Sequence, residues 1–180
     1  MARFVVIGTS CAGKSTFAKR LAAACQIPHV ELDSLHWGPD WTPVAPDLFT
    51  ARVAEVVQGE DWVIDGNYAA VRDLIWQRAT TILWLDYSFP VIFLRAIKRT
   101  WRRSLQGEEC CNGNRESLAR AFSRDSILLW VIKTYHRRRT EFQQLLPDVQ
   151  KSGRDVVVLR SPAAAERWLT QKKVGASRIA

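Results

Sequence analysis

The stretch Gly8-Thr9-Ser10-Cys11-Ala12-Gly13-Lys14-Ser15 constrains this chain more than any other. It follows the apolar run Phe4-Val5-Val6-Ile7 and leads into Thr16-Phe17-Ala18-Lys19-Arg20-Leu21. Strand, glycine-bounded loop and helix come in that order, the context in which G-x-x-x-x-G-K-[ST] is a phosphate-binding P-loop. The glycines let successive backbone N–H groups turn toward phosphate oxygens. The helix that opens after them adds unpaired N–H groups and the positive end of its dipole. Gly8, Ser10, Cys11, Ala12, Gly13, Lys14, Ser15 and Thr16 are the expected contacts of ATP, with Lys14 reaching the β- and γ-phosphates. The Ser15 hydroxyl is expected to complete the shell of a Mg²⁺ ion.

The rest of the chain reads as what surrounds that nucleotide. After strand 3–8 and helix 14–25, Gln26-Ile27-Pro28 ends the helix, because proline disfavours helix in the residue before it. His29-Val30-Glu31-Leu32-Asp33 reads as a second strand closed by an aspartate. Ligands of open α/β sheets gather at the carboxyl ends of strands, so Asp33 is a candidate Mg²⁺ partner or base on an acceptor hydroxyl, with a helix cap as the plain alternative. Ser34 to Pro46 reads as irregular and rich in tryptophan and proline, with His36 and Trp37 as candidate acceptor contacts. A helix is expected from Pro46 to about Gln58. Trp62-Val63-Ile64-Asp65 then ends in a second acidic residue, the Walker-B pattern that holds Mg²⁺ directly or through water. Asn67, Tyr68 and Arg72 follow as candidate substrate contacts.

Helix 69–78 and the uninterrupted apolar strand Thr80–Asp86 come next, as a central parallel strand should. The helix from about Val91 to Ser104 carries Arg95, Arg99 and Arg102 at i, i+4 and i+7, hence on one face, suited to clamping phosphates or to a solvated surface. Gln106 to Glu116, with two glycines and little apolar content, is the candidate lid, and Arg115 follows within it. A long amphipathic helix from Ser126 to Leu146 carries Arg137, Arg138 and Arg139 and is expected to stop at Pro147. A fifth strand, Asp155–Leu159, and a closing helix, Pro162–Leu169, complete the alternation.

With 180 residues, one domain is expected over 1–170, with a lid insertion at about 104–125 and a basic tail without regular structure at 171–180. The fold class is α/β: a three-layer P-loop NTPase sandwich whose five-stranded, mostly parallel sheet is flanked by helices. Cys11, Cys25, Cys110 and Cys111 show neither metal-site spacing nor a disulfide framework, and reduced thiols are expected. No run is long enough to span a membrane and no cleavage site follows the first residues, which points to the cytoplasm. The net charge of +8 suits phosphate handling, and also leaves nucleic acid open as a partner.

The chain resembles the adenylate-kinase-like group of P-loop kinases over most of its length. Asp65-Gly66 is similar to that group's Asp-Gly after the third strand, whose aspartate supports Mg²⁺. Arg95 and Arg99 resemble its pair of arginines at the lid entrance, which contact nucleotide phosphates. Where that group continues Phe-Pro-Arg, this chain has Asn67-Tyr68-Ala69, so the acceptor-gripping arginine is missing unless Arg72 replaces it. A closer resemblance is to FlaR-type DNA topology modulation proteins. It is carried by Glu31-Leu32-Asp33-Ser34-Leu35-His36-Trp37, Val63-Ile64-Asp65-Gly66-Asn67-Tyr68, Asn112-Gly113-Asn114-Arg115-Glu116 and Arg160-Ser161-Pro162.

Two functions follow. The first is a Mg²⁺-dependent kinase that moves the γ-phosphate of ATP to a small-molecule acceptor. Lys14, Arg95 and Arg99 would neutralise charge, Ser15 and Asp65 would hold the metal, and Asp33 would serve the acceptor. The second is a nucleic-acid-associated regulator that binds ATP and transfers little, favoured by the positive charge and by Arg137–Arg139.

Overall fold

The computed structural model describes residues 1–106, 112 and 126–176. The apolar runs pair as a fully parallel sheet of five strands in the order β2-β3-β1-β4-β5. These are β1 (Arg3–Gly8), β2 (His29–Glu31), β3 (Trp62–Asp65), β4 (Thr81–Leu85) and β5 (Asp155–Leu159). Parallel neighbours need crossovers, and the helices that supply them cover both faces. They are α1 (Lys14–Cys25), α2 (Leu32–His36), α3 (Pro46–Val57), α4 (Ala69–Arg78), α5 (Phe89–Gln106), α6 (Ile127–Lys151) and α7 (Pro162–Ala176).

Period-two alternation along β1 divides the interior in two. Phe4 and Val6 face Phe17 and Leu21 of α1, Ile92 of α5 and Leu169 of α7. Val5 and Ile7 face Phe49 and Val53 of α3, Val71 and Ile75 of α4 and Phe142 of α6. The outcome is a three-layer sandwich with β1 in its middle, and the loop after β1 therefore emerges at the centre of the sheet's carboxyl edge. Among the described residues, no helix is long and apolar enough to cross a membrane.

Several expected boundaries move. β2 ends at Glu31 and Asp33 belongs to the first turn of α2, so the second strand does not run to the aspartate. The stretch after it is less irregular than expected: a 3₁₀ turn, Pro39–Trp41, follows α2, and Trp37 bridges to Pro43. Pro147 does not stop α6, which continues to Lys151. The proline lies on the solvent side, where water can take the carbonyl it leaves unpaired, while Leu146 is buried in the core. The closing helix passes Leu169 to Ala176, so residues 171–176 are helical rather than an irregular tail. No helix breaker stands between Leu169 and Gly175, and Lys172 lies over the Trp168 ring at 5.3 Å. Residues 177–180, and the expected lid except for Asn112 and the end of α5, lie outside the described residues.

Candidate active site

The P-loop joins the buried end of β1 to the first turn of α1. Gly13 caps α1 with φ 88 and ψ 30, a left-handed conformation that a side chain would strain. A Cβ there would also come within 3.1 Å of an Arg95 nitrogen. The cap gives α1 no side-chain acceptor and its first turn holds no acidic residue, so neither offsets the positive end of its dipole. Lys14 Nζ donates to the Thr9 carbonyl across the loop at 3.2 Å. Burial pushes the Lys14 ammonium below its ordinary pKa, against the raising pull of Asp65 and Asp33. A cation short of solvent is one whose charge a phosphate would restore.

Side chains from other elements fasten the loop. Arg95 of α5 donates to the Ala12 carbonyl at 2.6 Å and lies over the Tyr87 ring at 5.1 Å. Arg99, one turn further, is near enough for its charge to act on Lys14. Trp130 of α6 donates its indole N–H to Ser10 Oγ at 3.2 Å, an approach from 120 residues away that no local pattern announces. Thr16 is exposed on the first turn of α1, and among the described residues Cys11 and Cys25 take part in no disulfide.

Below the loop lies a polar cluster. Ser15 Oγ is 2.8 Å from Glu31 Oε1 and 2.7 Å from Asp65 Oδ2. The register explains the convergence, because Glu31 and Asp65 are direct partners at the ends of β2 and β3. The other Asp65 oxygen is 2.7 Å from His29 Nε2, and the carboxylate is almost wholly buried. Glu31 and His29 are the site residues that sequence reading missed; the visible signal was only an acidic residue two positions before Asp33.

On the neighbouring side Tyr68 donates its phenol O–H to Asp33 Oδ1 at 2.6 Å, with Asp33 exposed at the carboxyl edge. The Tyr68 ring packs with His36 at 4.7 Å and Phe49 at 5.1 Å, and His36 packs with Trp37 at 4.7 Å. His36 and Trp37 therefore build the wall beside Asp33. Asn112 donates to the carbonyls of Ser34 (2.9 Å) and Trp37 on that wall. Gly66 permits the close packing: its φ is 143, and a Cβ would fall 2.7 Å from Leu32 Cβ. Two expected substrate contacts are used otherwise. Asn67 bonds the backbone of Gly8, and Arg72 pairs with Glu141 of α6 and covers the Trp76 ring at 5.5 Å. Arg115 lies outside the described residues.

This architecture has solved counterparts. The chain is similar to a gluconokinase from Sinorhizobium meliloti 1021, at 20% identity over 99% of this chain and 93% of that one, with a TM-score of 0.53. It is similar to a shikimate kinase from Bacteroides thetaiotaomicron, at 14% identity over 98% of each chain and a TM-score of 0.54. A sugar kinase from Janibacter sp. HTCC2649 gives 19% identity over 98% of each chain and a TM-score of 0.52. The chain shares the overall fold of these three kinases. Its sequence matches no protein-family model and no curated protein.

Within that fold two of the three arginines of the basic cluster on α6 are paired with carboxylates. Arg139 forms a two-point pair with Asp86 at the exit of β4, at 2.7 and 3.1 Å. Arg138 pairs with Glu141 at 3.3 Å, and Arg137 is exposed. Tyr135 donates to the Tyr87 carbonyl at 2.9 Å, so α6 holds the corner from which Arg95 reaches the P-loop.

Proposed function

We propose that the protein is a Mg²⁺-dependent phosphotransferase that moves the γ-phosphate of ATP to a hydroxyl group of a small molecule. The observation that carries this reading is the convergence of two carboxylates, Glu31 and Asp65, on the one hydroxyl of Ser15 beneath the P-loop. A hydroxyl has one proton to donate, so one of its two carboxylate contacts lacks a hydrogen bond unless a proton or a cation joins the cluster. That donor set fits a hard divalent cation that keeps several waters and phosphate oxygens. Among the described residues no cluster of three or more His, Cys, Asp or Glu side chains could hold a metal alone. Ser15, Asp65 and Glu31 would hold Mg²⁺, which supplies neutralisation of charge on the β- and γ-oxygens when bound.

The chain's own residues do the rest. The loop N–H groups and the α1 N-terminus seat the phosphates, and Lys14, Arg95 and Arg99 meet the charge that spreads over the transferring group. Asp33, oriented by Tyr68, stands on the acceptor side and takes the proton of the attacking hydroxyl. The neighbours' names, gluconokinase, shikimate kinase and sugar kinase, are all of enzymes for hydroxyl-bearing acceptors, which supports the same class here. Residues 1–170 act as one domain, in the cytoplasm where ATP is available.

The test is ADP release with a panel of sugars, sugar acids, nucleosides and other hydroxyl compounds. A severalfold rise with one class is expected. Turnover indifferent to every acceptor, together with salt-sensitive DNA binding, would instead support the regulator suggested by the FlaR-type resemblance. The pairing of Arg138 and Arg139 with carboxylates weighs against that second reading.

A further inference from the structure

We propose that Asn67 is a positioning residue that clamps the first residue of the P-loop, and that it is not an acceptor contact. The inference rests on the phosphotransferase reading only for the identity of the ligand. On one side, β1 pairs with β4 as far as Gly8, opposite Leu85. On the other, pairing with β3 ends two residues earlier, at Val6 opposite Asp65. The last bond of that ladder runs from the Gly66 N–H to the Val6 carbonyl at 3.4 Å.

Alternate residues of a parallel strand present both backbone groups to the same neighbour. Gly8, two positions after Val6, therefore turns its N–H and its C=O toward β3, where the strand has already diverged. The Asn67 carboxamide fills that place. Its Oδ1 accepts from the Gly8 N–H at 3.4 Å and its Nδ2 donates to the Gly8 carbonyl. A carboxamide has the donor and acceptor of a peptide unit, so the side chain extends the ladder by one step. It does so where β1 gives way to the phosphate loop, and a buried backbone pair left unmet there would be costly. Asp65 holds Ser15 two residues before, so one short segment fixes the loop at both its ends.

The clamp predicts two linked changes in Asn67→Ala and in the near-isosteric Asn67→Leu, which keeps bulk and adds no charge. Mg-ADP binding by calorimetry should weaken about tenfold, about 1.4 kcal/mol. Hydrogen exchange of the ligand-free protein should quicken in the peptide containing residues 8–13 and stay unchanged in β4 and β5. With no acceptor present, an acceptor contact moves neither readout. Affinity within about twofold of the parent would overturn the clamp. So would weakened affinity without a change in loop exchange, which means direct contact with the nucleotide, or faster exchange throughout the sheet, which means packing. Lys14→Ala separates the two levels. If it abolishes Mg-ADP binding while the Asn67 variants bind normally, only the clamp fails; if it too binds normally, the donor site itself is wrong.

Discussion

Glu31 and Asp65 are direct partners across the β2–β3 pair, and both carboxylates lie within 2.8 Å of the Ser15 hydroxyl. Two negative groups on one donor repel each other until a cation arrives. Glu31→Gln should therefore stabilise the metal-free protein by about 0.2–1 kcal/mol, the scale of opposed like charges across strands. For a chain of this size that is a rise of about 1–4 °C in Tm. The 4.0 Å contact with the mostly exposed Lys19 is too weak to reverse the sign. The same variant should need severalfold more Mg²⁺ for half-maximal transfer. Scanning calorimetry and a Mg²⁺ titration check both, and a fall in Tm with an unchanged Mg²⁺ requirement would remove Glu31 from the metal site.

Lys14 should give the ligand-free protein a stability that depends on pH. Its ammonium is held below the ordinary value of 10.5, chiefly by desolvation. Between the folded value and 10.5 the unfolded chain binds more protons than the folded one, so stability rises with pH across that window. Below it both states are protonated and the buried charge costs its full amount. The Tm advantage of Lys14→Met over the parent should thus shrink as pH is raised toward 10.5. A gap constant over that range would mean that Lys14 is well solvated.

What the sequence made legible is what short spacing can encode. The P-loop, the apolar strands and the helices between them are local patterns, and their reading survives with small shifts of boundary. Glu31 was hidden because a three-residue strand is too short for periodicity to show, and the run to Asp33 looks like one alternating strand. Its importance comes from register with Asp65, a fact of pairing between distant segments. The partner of Arg139 was hidden for the same reason: it finds Asp86 across 53 residues, and nothing near either residue announces the other. Asn67 looked like a substrate contact because it follows the acidic strand end, whereas the divergence of β3 from β1 gives it a backbone to hold.

The Asp86–Arg139 pair should be mainly structural. The Asp86 side chain is 5% exposed, and Arg139→Ala would leave that carboxylate buried without its two-point partner. Losing one member of a buried pair costs roughly 3–5 kcal/mol, and the 41% exposure of Arg139 argues for the lower end. A Tm decrease of about 6–12 °C follows. Asp86→Asn combined with Arg139→Met should recover part of it, since no charge is then stranded. If Arg139→Ala instead leaves Tm unchanged and lowers affinity for duplex DNA, the arginine belongs to a nucleic-acid surface.

Asp33 and Tyr68 separate chemistry from binding. The Tyr68 phenol donates to Asp33 Oδ1 at 2.6 Å, which leaves the second carboxylate oxygen for an acceptor hydroxyl. Rotation of Asp33 is restrained by that bond, and the phenol is itself held by the rings of His36 and Phe49. Asp33→Asn removes the proton acceptor, so transfer should fall by about 10²–10⁴ while Mg-ATP still binds. Tyr68→Phe keeps the ring packing and removes only the orienting bond. Its transfer rate should fall far less, about three- to tenfold, the scale of one ordinary hydrogen bond, because Asp33 is exposed and water can take the phenol's place. Nucleotide affinity should change far less than transfer in either variant, since the Asp33 charge acts on Lys14 only through space. Calorimetry with Mg-ATP and single-turnover transfer to the acceptor found in the panel make the comparison. Equal losses in the two variants would assign the proton to the phenol, and normal transfer by Asp33→Asn would leave the base to be found elsewhere on the acceptor side.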